Sequence, residues 1–179
     1  FPNIDALANA PLSEVLRVWQ GMGYNRRALA LKRIAEIVVL NHKGKIPRER
    51  SELETLPGVG PYTAGAVRAF AFNEIEVFIE TNIRRVFIHH FFGNRRDVSD
   101  KEILPLIEAA LDTNRPREWY SALMDYGAHL PKILLKNPNA KSKHYVKQSK
   151  FKGSLRELRG KILRALGRGS NTLIPIRRV

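Results

Sequence analysis

The 179-residue chain carries 31 basic and 17 acidic side chains, a formal net charge of +14, with 44% apolar residues and no cysteine. That length and apolar content allow one domain, or a domain with a small appendage, around a real core. The missing cysteine excludes disulfides, thiolate zinc sites and cysteine-held iron–sulfur clusters within these residues, and no apolar run approaches the ~20 residues that span a bilayer.

The charge is unevenly placed. Lys132 to Arg168 holds twelve basic residues against the single Glu157, leaving +3 of the total for the rest of the chain. Such an excess is a footprint for a polyanion, nucleic acid before an anionic membrane surface. A solvated basic tail is the plain alternative. No signal peptide is visible, so a soluble intracellular protein is expected. The chain begins at Phe1, not Met, which suggests a fragment or a missing beginning.

In chain order, Pro11 suits a first helical turn, and SEVLRVWQ (13–20) places Val15, Leu16 and Trp19 at helical spacing before Gly21 and Gly23 interrupt it. A second helix is predicted from Asn25 to Asn41, with Ala28, Leu31, Ile34, Ala35 and Val38 on one stripe. Ser51 with Glu54 reads as a capping box opening a short helix that stops at Pro57-Gly58. Tyr62 to Phe72 reads as a small-residue helix, and Glu74 to Ile79 as an extended link. Thr81 or Asn82 caps a predicted helix Ile83–Phe92, and Ser99 with Glu102 caps one running to Leu111. Pro105 should kink or restart that helix. Trp119–Leu130 is the next helix, 130–153 an extended connection, and Ser154 with Glu157 opens a last amphipathic helix with Leu155, Leu158, Ile162 and Leu166 on one face. No strand pattern or internal repeat appears, so the class is all-α.

LPGVGPYTAG (56–65) is the most informative stretch. Gly58 and Gly60 remove Cβ atoms where φ can be positive and where a ligand backbone must approach. A helix, a two-glycine turn and a second helix make a helix–hairpin–helix pattern. Its turn amides, with those starting the second helix, suit a DNA phosphate. Gly58, Val59, Gly60, Tyr62 and Thr63 are therefore candidate DNA-binding residues, and the contact would fix register without reading sequence. An ordinary helix-to-helix turn is the alternative for the PGVG core alone.

LPGVGPYTAGAVRAFAF followed by VFIETNIRRVF resembles the helix–hairpin–helix DNA glycosylase superfamily, and within it the adenine glycosylase (MutY) branch. FPNIDALANAPLSEVLRVWQGMGYNRRALALKRIA and YSALMDYGA (120–128) extend the resemblance over residues 1 to about 130. It implies a helical bundle, truncated at its N-terminus, over 1–130 with the hairpin at 51–72, and a rebuilt basic segment over 131–179. It implies lesion binding in a cleft, base flipping and cleavage of an N-glycosidic bond in base-excision repair. It also implies a monomer acting on double-stranded DNA in the cytoplasm at the nucleoid, with no membrane partner. Main-chain carbonyls of Glu54, Leu56 and Val59 would hold a sodium or potassium ion. No other cofactor is expected, because LPKILLKNPNAKSKHYVKQSKFKG stands where the family often carries four cluster cysteines.

The resemblance also assigns chemistry. The family's catalytic aspartate corresponds to Glu80, one methylene longer; a helix-capping carboxylate, with Arg84 as partner, is the other reading. Tyr62 stands where bifunctional relatives have a nucleophilic lysine, so strand cleavage by β-elimination is not expected; a packing aromatic is its alternative. Tyr24 matches a tyrosine that wedges beside the mispair, and Arg26 and Arg27 would reach phosphates or form a solvated face. The glutamate that protonates the leaving adenine lies, in the family, on a helix before the segment matching Phe1. If these residues were the whole molecule, adenine release should be severely impaired. His89 and His90 read as surface or core-edge residues, Asp125 as structural, and Trp19 and Trp119 as core. Adenine opposite 8-oxoguanine is the leading target. A thymine or uracil mismatch glycosylase, a non-catalytic DNA-binding module, and a basic adaptor for RNA or acidic proteins are the other readings.

Overall fold

Short helices follow one another through most of the chain. The computed structural model, which describes residues 1–147 and 149–167, contains α1 (Ile4–Asn9), α2 (Leu12–Val18), α3 (Arg26–His42), α4 (Arg50–Glu54), α5 (Pro61–Phe72), α6 (Thr81–Phe91), α7 (Asp100–Ala110), α8 (Pro116–Ile133), a 3-10 turn (Pro138–Lys141) and α9 (Leu155–Gly167). The described residues form no strand; Val98 and Ser142 make one isolated parallel bridge. The all-α expectation holds. No described helix is long and apolar enough to cross a membrane. Arg168 and the rest of the expected basic segment to residue 179 lie outside the described residues.

The chain divides into two compact units. The first takes residues 1–47, 56–58 and the described residues from 149 onward. Asn3 caps α1 by accepting from the Ala6 amide at 2.8 Å. The predicted stripe on α3 is the buried one: Ala28, Ala35 and Val38 have almost no exposed surface, as have Val15 of α2 and Leu56. Lys32 ties α3 to α1 through the Ala8 carbonyl, 2.5 Å from Nζ. Lys43 and Gly44 adopt left-handed φ values of 54° and 75° and close α3, with the Gly44 amide donating to the Val38 carbonyl at 3.0 Å.

The second unit takes residues 48–55 and 59–147. Its core is built from Phe78, Ile83, Val86, Phe87, Ile88, Val98, Ile103, Ile107, Tyr120 and Leu130, with α6 at the centre. Small residues let α5 approach the link that follows it: a Cβ on Gly65 would lie 2.9 Å from the Phe78 Cβ. Phe78 stacks on Tyr120 with ring centroids 4.2 Å apart. The Tyr120 hydroxyl donates to the Glu76 carbonyl at 2.7 Å, and burial pushes its pKa up to about 12. Gly127 of α8 sits against the first turn of α6, where a Cβ would overlap the Asn82 carbonyl and come within 2.8 Å of the Asn82 Cβ.

Several local expectations need correction. α1 was not anticipated. α4 begins at Arg50, with Glu49 at its N-cap and no side-chain cap bond, so Ser51 lies inside the helix and makes no capping box. α6 begins at Thr81 and is capped by Glu80, not by Thr81 or Asn82, because the longer carboxylate reaches back over the first turn. Pro105 does not divide α7; it is exposed and the helix runs from Asp100 to Ala110. α8 starts three residues earlier than Trp119, at Pro116, a residue suited to the first helical position. The Ser99–Glu102 capping box forms with both bonds present.

Replacing Gly127 with alanine forces a methyl group into the α6 backbone. Gly127→Ala should lower unfolding free energy by about 2–3 kcal/mol. Gly160→Ala, where nothing lies within 4 Å of the added carbon, should instead leave stability unchanged or raise it by up to about 1 kcal/mol. Urea unfolding midpoints of the two variants test the contrast.

Candidate functional site

The turn between α4 and α5 has the geometry its glycines suggest. Gly58 adopts φ +76°, the left-handed region that favours glycine, and an added Cβ would lie 3.2 Å from the Ala30 Cβ. Gly60 is the N-cap of α5 and is extended, at φ −104° and ψ −178°. Open space surrounds the position of its missing Cβ. Pro61 follows at the first helical position. The amides of Gly58, Val59, Gly60 and Thr63 donate to no other group among the described residues. Donors of this kind at the N-terminus of a 12-residue helix, reinforced by its dipole, are able to hold an anion. The carbonyls of Glu54, Leu56 and Val59 likewise accept no hydrogen bond among the described residues.

Tyr62, at the start of α5, is 45% exposed. Its ring lies 5.9 Å from that of Phe78, which precedes Glu80 by two residues. The first turn of α5 and the chain leading to Glu80 are thus in contact through aromatic side chains. A second tie comes from Arg50, whose guanidinium bonds Glu54 at 2.8 Å and Glu76 at 2.6 Å. The hairpin's first helix is fixed to the same link.

Glu80 is half-buried and caps α6 with a single oxygen. Its Oε1 accepts from the Ile83 amide at 2.8 Å and from the Asn82 amide. Its Oε2 has no hydrogen-bond partner among the described residues. Arg84 does not partner Glu80. Arg84 turns to α7 and holds Asp100 in a two-bond pair, at 2.6 and 2.8 Å. Arg85 is the cation whose charge acts on Glu80. Burial pulls the Arg85 pKa down, and the Glu80 charge opposes that shift.

Arg85 is buried. It donates to Asn82 Oδ1 at 2.8 Å, to Asn137 Oδ1 at 3.1 Å and to the Gly127 carbonyl. Asn139 Nδ2 donates to the Thr81 carbonyl at 2.8 Å. The segment NPN (137–139) therefore clamps the turn of α6 that begins beside Glu80. By composition alone, Asn137 and Asn139 belong to the extended connection expected over 130–153. Their signal was the Asn-Pro-Asn string, since asparagine side chains readily bond nearby backbone in turns.

The other candidates are placed as follows. Tyr24 is 55% exposed, with φ +50°. Arg26 and Arg27 are exposed in the first turn of α3. His90 is exposed and pairs with the Tyr126 hydroxyl at 2.8 Å, while His89 is half-buried. Asp125 is exposed. Trp19 is half-buried and donates to the Gly23 carbonyl at 2.8 Å, and Trp119 packs at the edge of the core. No group of three or more His, Cys, Asp or Glu among the described residues is placed to hold a metal.

The helix-hairpin-helix motif family matches residues 41–70. The chain is 35% identical over 132 residues to an adenine DNA glycosylase of Buchnera aphidicola (subsp. Baizongia pistaciae), covering 72% of this chain and 37% of that protein. It is 37% identical over 130 residues to an adenine DNA glycosylase of Mycolicibacterium smegmatis, covering 72% and 44%. In three dimensions it superposes on a thermostable thymine-DNA glycosylase with a TM-score of 0.62 and 30% identity, over 72% of this chain and 60% of that one. The chain is a member of the helix–hairpin–helix DNA glycosylase superfamily. An endonuclease III–DNA complex gives a TM-score of 0.58 at 25% identity, over 76% of this chain and 62% of that one. The family member described here spans roughly two-fifths of the two adenine glycosylases, 37% and 44% of their lengths. It has no cysteine for an iron–sulfur cluster.

The Arg84–Asp100 pair that fixes α6 to α7 makes stability depend on acid. The Arg84 hydrogen bond holds the Asp100 carboxyl below its ordinary value of 3.8. A depressed carboxylate adds stability above the unfolded value, and that stability is lost as pH falls through the folded value. Asp100→Asn should cost roughly 1–3 kcal/mol at pH 7. The gap between the variant and the parent protein should narrow as pH falls below 3.8. Thermal unfolding from pH 7 to pH 3 measures it, and a constant gap would remove the ionic pair from the account.

Proposed function

We propose that the protein is a monofunctional DNA glycosylase of base-excision repair that removes adenine mispaired with 8-oxoguanine from double-stranded DNA. The observation that carries this reading is Glu80, which spends one carboxylate oxygen on its helix and keeps the other available. The amides of the Gly58–Thr63 corner bind a backbone phosphate, as a contact that positions the duplex without reading it. A cation on the Glu54, Leu56 and Val59 carbonyls would stiffen the same corner and add positive charge beside the phosphate. Arg26 and Arg27 add phosphate contacts, and Tyr24 fills the gap left by an extruded base.

The target nucleotide must leave the stack before its sugar can be reached. As the C1′–N bond breaks, its electron pair leaves with the base and positive charge develops on the sugar. The Glu80 carboxylate stabilises that charge and orients the water whose oxygen bonds to C1′. The base takes up one proton and water supplies the hydroxyl, so the products are free base and an abasic site. Tyr62 offers no amine to attack C1′, so the strand stays intact.

A second reading, removal of thymine or uracil from mispairs with guanine, is favoured by one observation. The superposition at TM-score 0.62 is on a thermostable thymine-DNA glycosylase.

Duplexes carrying A·8-oxoG, G·T or G·U, incubated with the protein and then treated with alkali, separate the readings. A shortened strand from A·8-oxoG alone is expected. Product only from a pyrimidine mispair moves the protein to the second reading, and retarded bands with no product in any lane leave a DNA-binding module. Glu80→Gln keeps a capping oxygen and loses the charge. It should lower the single-turnover rate by about 100-fold or more while leaving duplex affinity within twofold. An unchanged rate would falsify the carboxylate role.

A further inference from the structure

We infer that Glu76 is a positioning residue: its carboxylate ties both helices of the hairpin to the link that delivers Glu80, so that DNA gripped at the start of α5 meets the Glu80 carboxylate in register. The inference rests on the glycosylase reading above. Residues 73–80 form no helix or strand. No regular backbone ladder holds this link, so its course must be fixed by side chains and isolated bonds.

Glu76 fixes it through both its main chain and its side chain. Its carbonyl accepts from the Tyr120 hydroxyl of α8 at 2.7 Å. Its side chain is only 11% exposed and meets two guanidiniums. Oε1 accepts from Arg50 Nη1 of α4 at 2.6 Å, and Oε2 lies 2.5 Å from Arg68 Nε of α5. Its Cγ is 3.3 Å from the place a Cβ on Gly65 would take. Arg50 also bonds Glu54 at 2.8 Å and reaches the Pro61 carbonyl at 3.5 Å. Arg68 also donates to the Arg48 carbonyl at 2.6 Å and pairs with Glu74 at 2.9 Å, and Arg48 pairs with Glu74 at 3.4 Å. Three arginines and three glutamates thus balance in one network within the second compact unit. Glu76 touches α4, α5 and α8 together.

Stability alone does not call for this arrangement. Buried ion pairs seldom stabilise more than apolar side chains of similar size. What a guanidinium fork adds is direction, since it fixes an angle as well as a distance. Glu80 follows Glu76 by four positions, at most about 13 Å of extended chain. Phe78 between them is stacked on Tyr120. A displacement at Glu76 therefore reaches Glu80 with little slack to absorb it. Loss of the Glu76 charge leaves Arg50 and Arg68 without their shared anion and frees the link from the hairpin.

The test separates rate from affinity. Single-turnover excision and duplex binding are measured for Glu76→Gln and Arg50→Gln, well below their thermal midpoints. Each should slow excision by roughly 10- to 100-fold, as small misplacements do. Duplex affinity should stay within about twofold, because the phosphate contacts of Val59, Gly60 and Thr63 are untouched. Ile107→Val, a change in the buried part of α7, should lower the thermal midpoint and leave the rate at the parent's value. The Glu76→Gln result decides; if that variant does not fold, Arg50→Gln decides, at a side chain 40% exposed. Parental excision in the deciding variant overturns the inference. So does a rate loss matched by lost affinity or shared by Ile107→Val. Amide hydrogen exchange keeps the two readings apart. In the deciding variant, residues 77–84 should exchange about tenfold faster or more, as a locally released segment does, with α7 unchanged. Faster exchange there beside a parent that excises no base defeats the catalytic reading and leaves the tie. Parental exchange over 77–84 defeats the tie, whatever the excision.

Discussion

Where α8 crosses the first turn of α6, Gly127 lets the two backbones come close enough that any side chain would collide with Asn82. The Gly127 carbonyl then accepts from Arg85, whose guanidinium also reaches Asn82 and Asn137. Burying a guanidinium is costly unless its donors are satisfied. Here Nε and Nη1 donate to three groups that all border the start of α6. The position of that helix terminus, and so of the Glu80 carboxylate that caps it, follows from a charge that has few other places to sit.

This arrangement changes what a glutamate can do at position 80. A glutamate has one more rotatable bond than an aspartate, and loose carboxylates make poor catalysts because small displacements are expensive. Two backbone amides donate to one Glu80 oxygen and fix the side chain against its own helix. Arg85 adds a nearby positive charge without consuming a hydrogen bond of the carboxylate. In the proposed reading, structural duty and chemical duty fall on different oxygens of one group. The reading as a helix cap and the reading as a catalytic carboxylate are therefore compatible, since each uses a different atom.

The parts that were legible in the sequence share one property: their physics is local. The hairpin turn is written in two glycines and two prolines within five residues, and the Ser99–Glu102 box in four. The apolar stripe of α3 is written in a period of 3.6. What was illegible depends on partners far along the chain. Glu80 outcompetes Thr81 as a cap although glutamate is not among the favoured capping residues. Asn139 reaches Thr81 across 58 positions, and Arg85 reaches Asn137 across 52. Proline's missing donor predicts a kink or a restart at Pro105, yet Pro105 is exposed and α7 is continuous from Asp100 to Ala110.

The polar segment after α8 is where these distant contacts originate. Its lysines and asparagines, taken as composition, describe an extended connection. In the fold, Pro138 and Asn139 are buried, Ser142 bridges to Val98, and the turn packs on α6. A loop held by iron–sulfur ligation gains its order from metal–sulfur bonds. This one gains it from amide hydrogen bonds to backbone, from a buried guanidinium and from proline's restricted φ. The same stretch leaves lysines 143 and 147 exposed to solvent. One face of the segment is thus committed to fixing α6, while its charge remains on the outside. A cysteine-free chain of this family can hold its carboxylate-bearing helix end by hydrogen bonding alone.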